Sequence, residues 1–282
     1  MAKSLSPLRY PGGKSKIYDK VKTVIETNSL GDKTYVEPFA GGFGIGLGLL
    51  CNRVVKSAIL NDFDTHIYNF WYSVFHHTDE LIKKIENVTV SMRVRKKQKF
   101  IYDNDSSDIL SNGFATLFLN RVNFSGIING GPIGGVLQSS DYKIDCRFNK
   151  KEIIKKISKI ALLRDKIELY NDDASELIKV YLKTRINESF FYIDPPYVGK
   201  GKELYTNYFK EDDHKKLGKI ITKYLKKTKW IVTYDDCKLI KDIYKDYNQV
   251  NYKIVHNAGG TVRGNEIVVT NIPNKLFFWD VS

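Results

Sequence analysis

The chain has 282 residues, 42% of them hydrophobic, which is enough apolar material for one large α/β domain or a domain carrying a smaller insert. Lysine and arginine number 45 against 32 acids, and the net charge of +13 predicts a polyanionic partner, nucleic acid ahead of an acidic membrane surface. No apolar run approaches the roughly 18 to 20 residues of a membrane-spanning helix, and the opening Met1–Pro7 has no signal-peptide apolar core, so the chain reads as cytoplasmic. The three cysteines, Cys51, Cys146 and Cys237, lack paired spacing, which argues against a zinc site, a redox motif or a disulfide framework; no metal is expected.

In chain order, residues 9–17 predict a glycine turn leading into a helix that ends near Glu26. Gly13-Lys14-Ser15 looks like the end of a phosphate-binding loop, but that motif needs a glycine where Leu8 stands. Thr34–Gly46 reads as a short strand, a glycine-rich bend and the start of a helix running to about Leu50. Its glycines do not match G-x-G-x-x-G, which weakens a pyrophosphate site and suits a nucleoside without a diphosphate. The strand Ala58–Asp62 ends in an acid 21 positions after Gly41. A Rossmann-like unit places its ribose-binding carboxylate at a spacing of roughly 20.

From Asp64 to about Arg164 the pattern changes to helices near 65–76, 79–86 and 91–102, an irregular middle and a helix near 150–163. This reads as a mainly helical recognition insert. Arg93, Arg95, Lys96, Lys97 and Lys99, followed by Phe100 and Tyr102, suit a phosphate backbone or simply a solvated helix face. Asn120, Arg121, Asn123, Ser125, Asn129 and Gln138 surround a glycine-rich loop where they can read base edges or cap the loop, and the residues alone leave both readings open.

The sheet resumes with a strand at 166–170, ending at Asp172 and Asp173. The apolar run Phe190–Ile193 then stops abruptly at Asp194-Pro195-Pro196-Tyr197. Strand ends are where open α/β sheets place chemistry. Asp194 and the Pro195 carbonyl together can accept both hydrogens of a planar exocyclic amine, and Tyr197 offers a face for the attached ring, a socket that suits adenine. A helix at 212–227, a strand at 230–234, a helix at 238–247 and late strands at 251–255, 266–271 and 276–279 complete the chain. Late strands without intervening helices predict an antiparallel edge. The expected fold is therefore α/β, with a mostly parallel Rossmann-like sheet from residues 1–63 and 165–282 and an inserted domain at 64–164.

Taken together, Tyr10-Pro11-Gly12-Gly13-Lys14, Glu37–Gly42, Asn61-Asp62, Asn120–Gly126, Asp173, Asp194–Tyr197 and Glu266–Asn271 resemble the DNA adenine-N6 methyltransferases that use S-adenosylmethionine. They occur in the order cofactor motif, recognition domain, catalytic motif. The resemblance implies that Tyr10 and Lys14 contact the methionine part of the cofactor, that Pro38, Phe39, Ala40, Gly41 and Gly42 form its loop, and that Asp62 holds its ribose. It further implies that Asp173 lies near the cofactor's adenine, with Asp194 close to the cofactor as well. Asp194, Pro195, Pro196 and Tyr197 would receive a target adenine flipped out of double-stranded DNA.

Members that modify GATC carry an arginine where this chain has Asn129, and Gly130–Gly135 replaces their usual hairpin, so another adenine-containing site is expected. A cognate restriction endonuclease is a candidate partner. Competing readings are methylation of RNA adenine or of cytosine N4, a DNA-binding relative without catalysis, and a nicotinamide oxidoreductase, which would leave Asp194–Tyr197 without a role.

Overall fold

The structure, a computed structural model, describes residues 5–9, 17–199, 209–256, 262–277 and 279. These fall into two compact units: 5–9 with 64–165, and 17–63 with the described residues from 166 onward. Residues 5–9 were expected with the sheet. They belong instead to the helical unit, where the Arg9 N–H donates to Asn120 Oδ1 (2.7 Å) and Asn120 Nδ2 donates back to the Arg9 carbonyl (2.8 Å).

The second unit is a seven-stranded sheet. Its strands are β1 (Thr34–Glu37), β2 (Ala58–Asn61), β3 (Ile167–Tyr170), β4 (Ser189–Ile193), β5 (Lys229–Asp235), β6 (Asn248–His256) and β7 (Val262–Thr270). They lie in the order β3-β2-β1-β4-β5-β7-β6, parallel from β3 to β5 and antiparallel for β7 and β6. Every residue of β4 is buried, as expected for a parallel strand covered on both faces. The longer helices of this unit are α1 (Tyr18–Thr27), α2 (Gly44–Cys51), α8 (Glu211–Tyr224) and α9 (Lys238–Ile243). Along α8 the stripe Leu217, Ile220, Ile221 and Leu225 packs into one core with Phe191, Ile193, Trp230 and Val232. The expected strand at 276–279 is not present among the described residues: Asn274–Leu276 is a 3-10 turn following Pro273. The helix expected to reach 247 ends at Ile243, and the chain enters β6 only five residues later.

The first unit holds α3 (Thr65–His76), α4 (Thr78–Asn87), α5 (Met92–Asn104), α6 (Ile109–Val122) and α7 (Lys150–Ala161). Side-chain caps fix several starts: Asp64, Ser91, Asp108 and Asn149 each accept a backbone N–H of the first turn. Helix α6 was not anticipated. Its residues from Asn112 to Asn120 are all buried, so it has no polar face and no amphipathic period to read.

Polar contacts lock α6 to α3. Asn112 Oδ1 accepts from Asn69 Nδ2 (3.1 Å) and faces His66 Nδ1 (3.0 Å), while the Ser73 hydroxyl reaches the Ile109 carbonyl (3.2 Å). The helices touch at Gly113, where a Cβ would lie 2.5 Å from the Asn69 carbonyl oxygen and 2.6 Å from Ser73 Oγ. Alanine improves helix propensity by about 1 kcal/mol, but overpacking against backbone costs about 1–3 kcal/mol. We therefore expect Gly113→Ala to lower stability, read as an earlier urea midpoint; an unchanged or later midpoint would contradict this packing.

Candidate active site

From β1 the chain proceeds outward to β2 and β3, then returns to add β4 on the other side of β1. Strand order reverses there, and in such sheets the crevice outside the carboxyl ends of the two strands receives the ligand. Two loops open at that point, Pro38–Phe43 after β1 and Asp194–Gly199 after β4.

The first loop is stapled to the neighbouring strand. Gly41 adopts φ +47°, a left-handed conformation that glycine accepts readily, and its N–H donates to Asp62 Oδ2 (2.8 Å). The Ala40 N–H reaches the Asn61 carbonyl (2.9 Å), and Asn61 Nδ2 donates to the carbonyls of Pro38 (2.8 Å) and Asp172 (2.9 Å). Asn61 is fully buried and ties the ends of β1, β2 and β3 together. Phe39 is half-buried and meets Phe209 edge-on, with ring centroids 5.8 Å apart. This donor set fits a nucleoside: a carboxylate at the end of β2 for ribose hydroxyls, an aromatic wall, and no lysine or arginine within the loop for a diphosphate. Asp173 is exposed, and its Oδ1 accepts the Ser175 N–H (2.8 Å), capping the turn after β3. Tyr10 and Lys14 lie outside the described residues.

The second loop is pinned from β5 and β7. Thr233 donates to Asp194 Oδ1 (2.7 Å), and Asp235 accepts the N–H groups of Val198 (2.9 Å) and Gly199 (2.8 Å). Pro195 and Pro196 are buried. Tyr197 is only 7% exposed, and its hydroxyl donates to Glu266 Oε1 (2.7 Å); Glu266, itself buried, also accepts from Tyr252 on its other oxygen. Sequence reading singled out neither Thr233 nor Asp235. Both alternate onto one face of β5, and only the register pairing Ile193 with Val232 brings Thr233 beside Asp194. Strand register between segments about 40 residues apart has no local sequence signal.

In the helical unit several expected DNA contacts need correction. Asn123 is fully buried: its Oδ1 accepts from Arg95 Nε (2.7 Å), and its Nδ2 donates to the carbonyls of Ile127 (3.1 Å) and Ile128 (2.7 Å). Asn120 is 2% exposed and bridges Arg9 and the Gly126 carbonyl (2.9 Å). Gln138 donates to the carbonyls of Ile133 (2.7 Å) and Gly135 (2.6 Å) and accepts the Ile144 N–H (2.8 Å). These amides shape the loop because its irregular backbone leaves carbonyls that must find donors. Arg95 is likewise turned inward, donating to the Gly130 carbonyl (2.9 Å).

Arg93, Lys96, Lys97 and Asn129 are exposed, and Ser125 is half-buried at φ +55°. Arg121 is half-buried, with Arg9 and Arg147 nearby. Burial, reinforced by those two charges, pushes its guanidinium down to about 10, and its Nε has no partner among the described residues. Phe124, Val136, Leu137 and Tyr142 project from the same loop region.

A family model for D12 class N6 adenine-specific DNA methyltransferases matches residues 10–257. The chain belongs to this family. Adenine in DNA is thereby favoured over the RNA, cytosine-N4 and nicotinamide readings. The Type II methyltransferase M.MjaIII of Methanocaldococcus jannaschii is 26% identical over 235 residues, covering 77% of this chain and 78% of that protein. A solved structure of the rRNA methyltransferase aviRa from Streptomyces viridochromogenes aligns with a TM-score of 0.41 at 13% identity, covering 93% of this chain and 87% of that one. Among the described residues no group of three or more His, Cys, Asp and Glu could hold a metal ion, and no helix is long and apolar enough to cross a membrane.

One further acid of the methyltransferase sits beneath the first loop. Glu37 is buried, and its Oε1 accepts both the Tyr35 hydroxyl (2.7 Å) and the Gly46 N–H (2.9 Å), tying β1 to the start of α2. Burial pushes its carboxyl up to about 8, and the Asp194 charge adds to the rise against the two hydrogen bonds. The folded protein therefore holds a proton here that the unfolded chain, with an ordinary carboxyl near 4.5, releases. Below 4.5 both states are protonated and the contribution is fully present; it is lost as pH rises through about 8. Glu37→Gln keeps the acceptor and cannot ionise, so urea midpoints from about pH 5 to about pH 8.5 should fall less steeply with pH in the variant than in the wild type. Parallel slopes would show that Glu37 does not titrate in this window.

Proposed function

We propose that this D12 methyltransferase uses S-adenosylmethionine to methylate N6 of an adenine rotated out of duplex DNA, within a short recognition site. The observation that carries this reading is the convergence of the glycine loop and Asp194–Tyr197 at the reversal point between β1 and β4. In this reading the sheet unit binds cofactor and performs chemistry, and the helical unit recognises DNA. Residues 38–42 and Asp62 hold the nucleoside part of the cofactor, with Asp173 near its base. Tyr10 and Lys14 are assigned to its methionine part by resemblance to the family.

Bound there, the cofactor supplies a sulfonium methyl, an electrophilic carbon whose departure leaves a neutral thioether. The chain does the rest. Asp194 and the Pro195 carbonyl accept the two amine hydrogens, which favours a pyramidal nitrogen with its lone pair available. The carboxylate also stabilises the positive charge that develops as the N–C bond forms and before the amine proton leaves. Tyr197, held by Glu266, borders the base. Holding nitrogen and methyl in line supplies much of the remaining rate.

Arg93, Lys96, Lys97 and Arg121 are assigned to phosphates. Ser125 and Asn129 stay as candidate base-edge contacts, and Asn129 supports a target other than GATC. The exposed Phe124 and Leu137 suit contact with unstacked bases. A companion restriction endonuclease rests on the Type II designation of the M. jannaschii relative, and a cytoplasmic setting on the DNA substrate.

Expression in a methylation-free host followed by modification-sensitive sequencing should reveal N6-methyladenine at one short sequence. Asp194→Ala should reduce methyl transfer by at least about 10²-fold while leaving salt-sensitive DNA binding intact. Turnover retained in that variant would remove Asp194 from the mechanism.

A further inference from the structure

A carboxylate that must meet one hydrogen of a target amine needs a fixed plane, and an aspartate cannot fix it alone. The terminal torsion of aspartate is broad and nearly two-fold, so the backbone and the first rotamer leave the oxygens free to swing. In this protein the swing is opposed from the adjacent strand. Thr233 Oγ1 donates to Asp194 Oδ1 at 2.7 Å, and the Tyr192 hydroxyl lies 3.1 Å from the same Oγ1. A hydroxyl has a single proton; with that proton given to Asp194, Thr233 can only accept from Tyr192. The chain of donors is therefore directed, from Tyr192 to Thr233 to Asp194.

Its direction depends on charge. An ionised carboxylate only accepts hydrogen bonds, and it orders both hydroxyls toward itself. Thr233 is fully buried and Tyr192 is 2% exposed, so bulk water does not replace either link. Burial, with the Asp194 charge beside it, pushes the Tyr192 phenol well above its usual range, and it stays a donor across the working pH range. The placement follows from register. Ile193 pairs with Val232, which puts Asp194 and Thr233 abreast one step further on, and Tyr192 is two residues before Asp194 on the same side of β4.

We infer that Thr233, backed by Tyr192, is a positioning residue that fixes the carboxylate plane of Asp194 for the target amine. The inference rests on the proposed role of Asp194 as acceptor for that amine. Thr233 does not meet the substrate; it acts through Asp194, so its removal should slow the chemical step and leave binding of both ligands unchanged.

The test uses the full chain and single-turnover methyl transfer to duplex DNA containing its mapped site. Thr233→Val keeps the shape and removes the donor, Thr233→Ser restores a hydroxyl, and Tyr192→Phe removes only the outer link. We expect Thr233→Val to slow transfer by about 10- to 100-fold, a size typical of misplacing a reacting group by up to an ångström. Thr233→Ser should recover most of the rate, and Tyr192→Phe should fall between. DNA affinity, and affinity for S-adenosylhomocysteine as the cofactor probe, should stay within about twofold in all three, since uniform binding is untouched.

A wild-type rate in Thr233→Val overturns the inference. So does a Thr233→Ser variant as slow as Thr233→Val, which would point to packing, or a loss carried by ligand affinity. Should Thr233→Val not fold, Tyr192→Phe and Thr233→Ser decide it: both at the wild-type rate with unaltered affinity sink the relay, and an intermediate Tyr192→Phe beside an active Thr233→Ser sustains it. Asp194→Ala separates the two levels. If that variant still turns over, the reading of the site fails and the relay with it; if it is inactive while Thr233→Val is normal, only the relay fails.

Discussion

The site depends on β1 and β4 lying side by side although more than 150 residues of chain separate them. That adjacency brings the glycine loop and Asp194 to one crevice, and it exists because the chain builds β2 and β3 on one side of β1 before returning to the other. The near-continuous apolar sequence of β4 makes it a central strand: Phe190, Phe191 and Ile193 are buried on two faces, and a strand of this kind is stable only between neighbours. Its register with β5 then determines which side chains reach the loop beyond it.

Around that crevice the protein uses directional hydrogen bonds, besides hydrophobic contact, to hold the working parts. Asn61 binds three strand ends, Glu37 binds a strand to a helix, Glu266 binds two tyrosines, and Asp235 binds two backbone N–H groups. A buried polar group left unpaired costs about 1–3 kcal/mol, so each such residue destabilises any arrangement other than the one that satisfies it. Apolar packing tolerates small shifts, whereas these directional bonds do not. The loops are specified by partners on different strands, and their shape follows from the tertiary fold rather than from local propensity.

The same distinction explains what could be read from the sequence. Strand ends, the two loops and the large amphipathic helices were legible because their signals are local: β4 ends in two prolines, and α8 has a stripe at helical spacing. Helix α6 was illegible because burial on all sides removes the periodicity on which recognition of a helix rests. Thr233 and Asp235 were illegible because their importance comes from register. Asn120, Asn123 and Gln138 were legible as polar residues near a glycine-rich loop, but their direction was not. An amide suited to an adenine edge is equally suited to a backbone carbonyl, and the irregular loop supplies those carbonyls first.

That inward turn changes what the loop presents to its surroundings. With Asn120, Asn123, Arg95 and Gln138 engaged within the protein, the loop is braced before any ligand arrives, and its outward chemistry is left to Asn129, Phe124, Val136, Leu137 and the basic groups. A braced loop loses little conformational freedom on association, so more of each contact appears as affinity or discrimination. In the proposed function, attraction that is indifferent to sequence falls to Arg93, Lys96 and Lys97, which are exposed on α5. The proposed function thus assigns attraction and discrimination to different residues. On that assignment, charge on α5 would change the first without reshaping the loop, whereas the buried amides would act on the second by altering loop shape without meeting a base themselves.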